Sequence, residues 1–241
     1  MGIFLSKIFI KNNNENVFPF TLPLLKKDVE IEFKTPITFI LGENGSGKST
    51  LLESLANNVG FNILGGNKNH YYDSNNNDNL NLSNNMKLSW RLKTSKGFFF
   101  RAETYFNFTE YMEEMAKENG KFVFNSYGGK SLLKQSHGES FLSLFQNNFS
   151  EGLFILDEPE AALSPERQLT LISILNDLTT NYNCQFIIAT HSPLLITMKN
   201  ATIYEIENDE LVEKQYNETK QFQLYKNFID CPDRYLKLLC D

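Results

Sequence analysis

The sequence predicts an α/β fold with a mainly parallel core sheet flanked by helices, and three observations carry that prediction. First, "GLFILDEPE" (152–160) and "QFIIAT" (185–190) are continuous apolar runs, the mark of strands buried on both faces. Second, these runs alternate with helical patterns, as a sheet built from crossover units requires. Third, the glycine-rich turn "GENGSGKS" (42–49) stands between an apolar strand and a helix.

Each element follows from its local pattern. The opening residues read as a short antiparallel part: a strand over 3–10, then "VEIEF" (29–33) with period-2 alternation, then "ITFIL" (37–41). Pro19, Pro23 and Pro36 punctuate the connections. A helix over 49–57 follows the glycine-rich turn. Between 62 and 85 the chain is rich in asparagine and too poor in apolar groups to offset its ordering entropy, so a mobile surface insertion is expected there. "KGFFFRAETYF" (96–106) reads as a strand passing into a helix, and 109–119 is helical. In "KQSHGESFL" (134–142), Ser136 and Glu139 have capping-box spacing, and Phe141, Leu142, Leu144, Phe145 and Phe149 mark one helical face. Ser164 and Pro165 start a further helix as N-cap and first residue. "ATIYEI" and "ELVEKQY" read as a terminal hairpin before a helical tail.

These elements describe one domain over 1–241. It divides into an N-terminal β part with the glycine-rich turn (1–60), an asparagine-rich insertion (61–95), a helical region (96–150) and a C-terminal part (151–241). With 41% hydrophobic residues and 13% aromatics, the chain can bury a substantial core. Its net charge of −6 and the lack of a lysine–arginine block argue against nucleic-acid binding through a basic tail. The three cysteines have neither zinc-site nor CxxC spacing, which predicts reduced thiols in a cytoplasmic protein. No apolar run reaches the roughly 18 residues of a membrane span, and the N-terminus reads as a strand rather than a signal peptide.

The chemistry gathers at strand ends. Gly42, Glu43, Asn44, Gly45, Ser46 and Gly47, followed by Lys48, Ser49 and Thr50 at the helix start, fit G-x-x-x-x-G-K-[ST] in full. Such a turn points successive N–H groups at a polyphosphate beside a helix N-terminus. Lys48 is expected to reach the β- and γ-phosphates of a nucleotide, and Ser49 to ligate Mg²⁺. An apolar strand ending in Asp157 and Glu158 sets two carboxylates at the same sheet edge. Asp157 is the candidate holder of Mg²⁺, and Glu158 the candidate acceptor of a proton from attacking water. His191, in "IIATHSP", ends another buried strand there, where a neutral imidazole can hydrogen-bond a γ-phosphate oxygen.

In this order, "ENGSGKST", "QSHGES", "LDEPEAALSP" and "ATHSP" resemble ATPases of the ATP-binding-cassette type. Together with "FFFRAETYF" they look like the small stand-alone ATPases of the AAA/ABC-like group, and like the head domains of chromosome-maintenance and break-repair ATPases more than transporter subunits. The resemblance spans about residues 31–206 and implies a P-loop fold with a helical signature subregion. It further implies Mg-dependent ATP hydrolysis and an ATP-dependent homodimer closed head-to-tail. Ser136 and Gly138 would then serve as a signature contacting the γ-phosphate held by the partner subunit, and 161–164 as a dimer-contact loop. A DNA-related or defence-related effector partner is expected on this resemblance; a membrane transporter's ATP-binding subunit, or a nucleotide-gated clamp, is the alternative. Two departures stand out. His137 replaces the first glycine of the signature. No glutamine precedes Gln135, so the usual magnesium-sensing glutamine is missing. Glu103 is its candidate replacement as a Mg²⁺ ligand; the alternatives are that Arg101 beside it pairs with phosphate, or that each residue is a salt-bridging surface residue.

Overall fold

In the computed structural model, residues 2–13, 16–63, 65–66, 78–127, 129–135 and 137–240 are described. Two sheets share the core. The smaller is antiparallel, in the order β2–β1–β4, with β1 at Leu5–Ile10, β2 at Val29–Glu32 and β4 at Met86–Trp90. The larger runs β5–β6–β7–β3–β8–β9. Its strands are β3 (Ile37–Leu41), β5 (Gly97–Arg101), β6 (Gly152–Asp157), β7 (Cys184–Ala189), β8 (Ala201–Glu207) and β9 (Glu210–Glu213). Every pairing in it is parallel except β8 with β9.

The period-2 rule divides each strand of the larger sheet between two cores. On one face Phe39, Phe98, Phe100, Phe154, Phe186 and Ile188 pack with the helical layer; on the other, Ile40, Phe99, Ile155 and Ile187 face α1 (Lys48–Val59) and the smaller sheet. The helical layer consists of α3 (Tyr105–Asn119), α4 (His137–Asn148) and α5 (Pro165–Asn181). The face expected for α4 is the buried one: Phe141 and Phe145 are fully buried, and each ring lies near Phe100, at 4.6 and 6.1 Å between centroids. Rings at such spacing add to the hydrophobic contribution of their burial. The Oγ of Ser164 accepts from Arg167 N, as the cap at the head of α5 predicts.

The larger sheet is tied to the smaller one by a polar side chain. Gln185, fully buried in β7, accepts from Phe4 N and Leu5 N at 2.8 and 2.9 Å and donates to Leu5 O at 2.8 Å. A buried amide so placed leaves no group unpaired, which is the condition for tolerating it in a core.

One expectation needs correction. Residues 67–77, at the centre of the asparagine-rich run, lie outside the described residues, but the second half of the supposed mobile insertion 61–95 is built into the fold. It forms α2 (Asp78–Asn84) and then β4, which completes the smaller sheet. Leu82 and Met86 are buried, and Asn57 and Asn58 of α1 donate to Ser83 and Met86. Two apolar anchors and a few backbone-directed amides order a segment whose average composition argues for disorder.

The C-terminal tail forms two helices, α6 (Lys220–Asp230) and α7 (Pro232–Cys240). The head of α6 is anchored by Thr219, which accepts from Phe222 N, and by Glu205, which accepts from Lys220 N at 3.1 Å. Among the described residues no helix is long and apolar enough to cross a membrane.

Candidate functional site

The site lies at the carboxyl ends of the parallel strands, where α/β sheets bind ligands. Register brings its parts together: Arg101 of β5 is the Cα partner of Asp157 in β6, and Asp157 is the partner of Ala189 in β7. On the other side of β7, β3 delivers the phosphate loop. The loop ends at Gly47, whose φ of 100° lies in the left-handed region that a side chain would resist, and α1 starts with the next residue.

Lys48 is buried and turns its ammonium onto the loop, donating to the carbonyls of Gly42 and Glu43 at 2.8 and 3.0 Å. Burial pushes its pKa down, opposed by the nearby Glu158, Asp157 and Glu160. Ser49 Oγ donates to Asp157 Oδ1 at 3.2 Å, so the two residues expected to hold Mg²⁺ meet across 108 positions of chain. Asp157 is 3% exposed, and burial pushes its carboxyl up to about 6 despite Ser49 and Arg101. A buried carboxylate held that far above its usual range favours an arriving cation. Mg²⁺ is commonly held by one or two carboxylates, substrate phosphates and water, so a hydroxyl beside one carboxylate fits it. Among the described residues no group of three or more His, Cys, Asp or Glu forms an all-protein metal cage.

Glu158 follows at the strand end with φ 50° and ψ 52°, a left-handed conformation rare for a non-glycine residue and characteristic of functional sites. Its N–H is held by the carbonyl of Ala189, and its carboxylate lies 3.6 Å from His191 Nε2. Burial and the Lys48 charge hold His191 below its ordinary pKa, against the pull of Glu158, so the imidazole is neutral at pH 7. Its Nε2 is buried without a hydrogen bond, leaving a ring nitrogen ready for a ligand.

Two features escape sequence reasoning. Glu160, half-buried, accepts from the backbone N–H of His191 and so fixes the histidine's turn to the segment after the acidic strand. The motif "LDEPE" contains it, but nothing in its spacing separates it from a solvated acid. Helix α6 also reaches the site: a cavity of about 320 Å³ beside the loop is lined by Gly42, Glu43 and His191 and, across it, by Lys220, Leu224 and Tyr225. No local signal in the tail marks that proximity.

The remaining candidates fall elsewhere. Glu103 is not joined to the Ser49–Asp157 pair by any hydrogen bond or ion pair; its exposed carboxylate pairs with Arg101 Nη2 at 2.7 Å. Arg101 is tied to carboxylates, with Nη1 on Glu53 and Nε 3.8 Å from Asp157 Oδ2. Ser136 lies outside the described residues, and so does its half of the expected capping box. Gly138 sits in the first turn of α4, where an added Cβ would lie 2.4 Å from Arg167 Nη1 and 3.3 Å from the Ala162 carbonyl. The start of α4 thus packs against the turn 161–164 of its own chain, and Glu139 reaches Arg167 at 3.4 Å.

Comparisons with known proteins bear on the sequence and the fold as a whole. A family model described as "AAA domain, putative AbiEii toxin, Type IV TA system" matches residues 140–197. The lipoprotein-releasing system ATP-binding protein LolD of Buchnera aphidicola subsp. Acyrthosiphon pisum is 25% identical over 218 residues, covering 80% of this chain and 90% of that protein. The tungstate uptake system ATP-binding protein TupC of Campylobacter jejuni subsp. jejuni is 25% identical over 273 residues, covering 95% of this chain and 74% of that one. In fold the chain is similar to the ADP conformation of MJ1267, an ATP-binding cassette of an ABC transporter. That match has a TM-score of 0.51 at 17% identity and covers 99% of this chain and all of the other. In motif, fold and relatives the chain is thus similar to small P-loop ATPases of the ATP-binding-cassette type.

Proposed function

We propose that the chain hydrolyses ATP with Mg²⁺ and that ATP closes two copies head-to-tail. The observation that carries the reading is the Ser49–Asp157 hydrogen bond beneath a complete phosphate loop. Ser49 and Asp157 would hold the metal, which when bound neutralises charge on the phosphates. Lys48, already desolvated, exchanges the carbonyls of Gly42 and Glu43 for phosphate oxygens. Glu158 takes the proton of the attacking water, and the neutral His191 donates its ring N–H to a γ-phosphate oxygen. Ser136 and Gly138 of a second copy complete the pocket, because a helix N-terminus is a site for anions.

The test is solution mass by light scattering for Glu158→Gln, with and without Mg-ATP. The reading requires a monomer that becomes a dimer only with ATP, and loss of that dimer on Ser136→Arg. Nucleotide binding with no change in mass would sink the homodimer.

The partner is a finer step. The matched family description, which names a toxin–antitoxin system, supports a defence-related effector; no observation favours DNA. The names of LolD and TupC, ATP-binding proteins of release and uptake systems, support a second reading in which the chain energises a membrane transporter. Under that reading the ATPase rate rises only with a membrane component present.

A further inference from the structure

Three charged side chains beside the phosphate loop have no assigned role in hydrolysis, and their arrangement is specific. Arg101 ends β5 directly alongside Asp157, and its side chain is only 22% exposed. Its three nitrogens face three carboxylates: Nη1 meets Glu53 of α1, Nη2 meets Glu103, and Nε points to Asp157 Oδ2. Glu53 is 7% exposed and Asp157 3%, so both are largely removed from water. The Arg101 Nε makes no hydrogen bond, and its 3.8 Å separation from Oδ2 is too long to be one. Oδ1 of the same carboxylate is already engaged by Ser49 at 3.2 Å.

We infer that Arg101 is a positioning residue for the metal-binding carboxylate, clamped by Glu53 so that its Nε holds Asp157 Oδ2 while Oδ1 and Ser49 face the metal. The inference rests on the reading of Ser49 and Asp157 as the Mg²⁺ site. A carboxylate on a short side chain keeps one orientation only when both oxygens are held from different sides, and Ser49 alone leaves the plane free to turn. The buried Nε–H without an acceptor supplies the second hold, since closing the gap by less than 1 Å would convert a loose ion pair into a charge-assisted hydrogen bond. Repulsion between a guanidinium and Mg²⁺ works the other way. Here the charge of Arg101 is matched by Glu53, so the pair brings little net charge to the site and orientation dominates. The arrangement also reassigns Glu103. Lying on the far arm of the guanidinium, it steadies Arg101 from the solvent side instead of binding the metal.

The experiment is a Mg²⁺ titration of 2′/3′-O-(N-methylanthraniloyl)-ATP fluorescence on the full chain, with a parallel nucleotide titration in EDTA. For Arg101→Met, the Mg²⁺ concentration at half-saturation is expected to rise about tenfold or more, the size of effect typical when the partner of a metal ligand is lost. Affinity in EDTA should stay within about twofold, and Arg101→Lys should recover part of the loss, because an ammonium can reach a single oxygen but lacks the fork. Since Arg101→Met removes the cation beside the buried Glu53 and endangers folding, Glu53→Gln/Arg101→Met is the second variant. It preserves net charge and should show the same loss. Glu103→Gln should shift the Mg²⁺ dependence less than Arg101→Met. Unchanged Mg²⁺ dependence in both arginine variants would overturn the inference, as would equal loss of affinity with and without Mg²⁺, or a larger shift from Glu103→Gln. A wild-type titration insensitive to Mg²⁺ would overturn the metal reading and this inference with it.

Discussion

Replacing Asp157 by Asn should stabilise the protein while abolishing hydrolysis. Burial raises the Asp157 carboxyl from 3.8 to about 6, so the ionised form is disfavoured in the folded chain relative to the unfolded one. Over that interval the folded state binds the extra proton, and stability therefore falls as pH rises from about 4 to 6 and stays low above it. A difference of about two pKa units corresponds to about 3 kcal/mol at pH 7–8. Asn removes the charge, is nearly isosteric and can still accept from Ser49 Oγ. The expected gain is about 2–3 kcal/mol at pH 8, which for a chain of this size is a rise in Tm of about 4–9 °C. At pH 4 the wild-type carboxyl is protonated when folded, and the gain should shrink below about 1 kcal/mol. Thermal melts of both proteins in EDTA, without nucleotide, at pH 4 and pH 8 measure it. An equal gain at both pH values, or none at pH 8, would show that Asp157 is not the strained buried charge that its surroundings imply.

Two further predictions follow from contacts that are purely structural in appearance. Glu160→Ala leaves the His191 N–H without its acceptor, so kcat should fall about tenfold while KM for ATP changes less than about threefold; Glu160→Gln, which keeps an acceptor, should retain most of the rate. Steady-state kinetics of the two variants decide it, and equal loss in both would place the effect in the charge instead. Gly97→Ala should destabilise by about 3–5 kcal/mol, seen as a lower urea midpoint. At φ +148° its Cβ would lie 1.8 Å from the Leu153 carbonyl oxygen and 2.6 Å from the Phe61 ring, a clash that the paired Leu153 backbone cannot relieve cheaply.

What the sequence determined by itself is what local chemistry encodes. The phosphate loop is legible because its glycines, lysine and serine act within one turn. The strand ending in Asp157 and the Ser164 cap are legible because apolar runs and cap residues act over a few positions. The tertiary structure decided the strand order, which sets β7 and β3 side by side and so brings Asp157, His191 and Ser49 to one edge. It decided that Arg101 answers to Glu53, 48 residues away, and that Glu103 faces water. It also decided that Gln185 bonds Leu5 across 180 residues, that the end of the asparagine-rich run forms a helix leading into a sheet strand, and that α6 borders the loop. Periodicity reports which face of an element is apolar, and motifs report which groups share a turn. Neither records which distant charge or amide will satisfy a buried polar atom, because that partner is chosen only when the layers close and water is excluded.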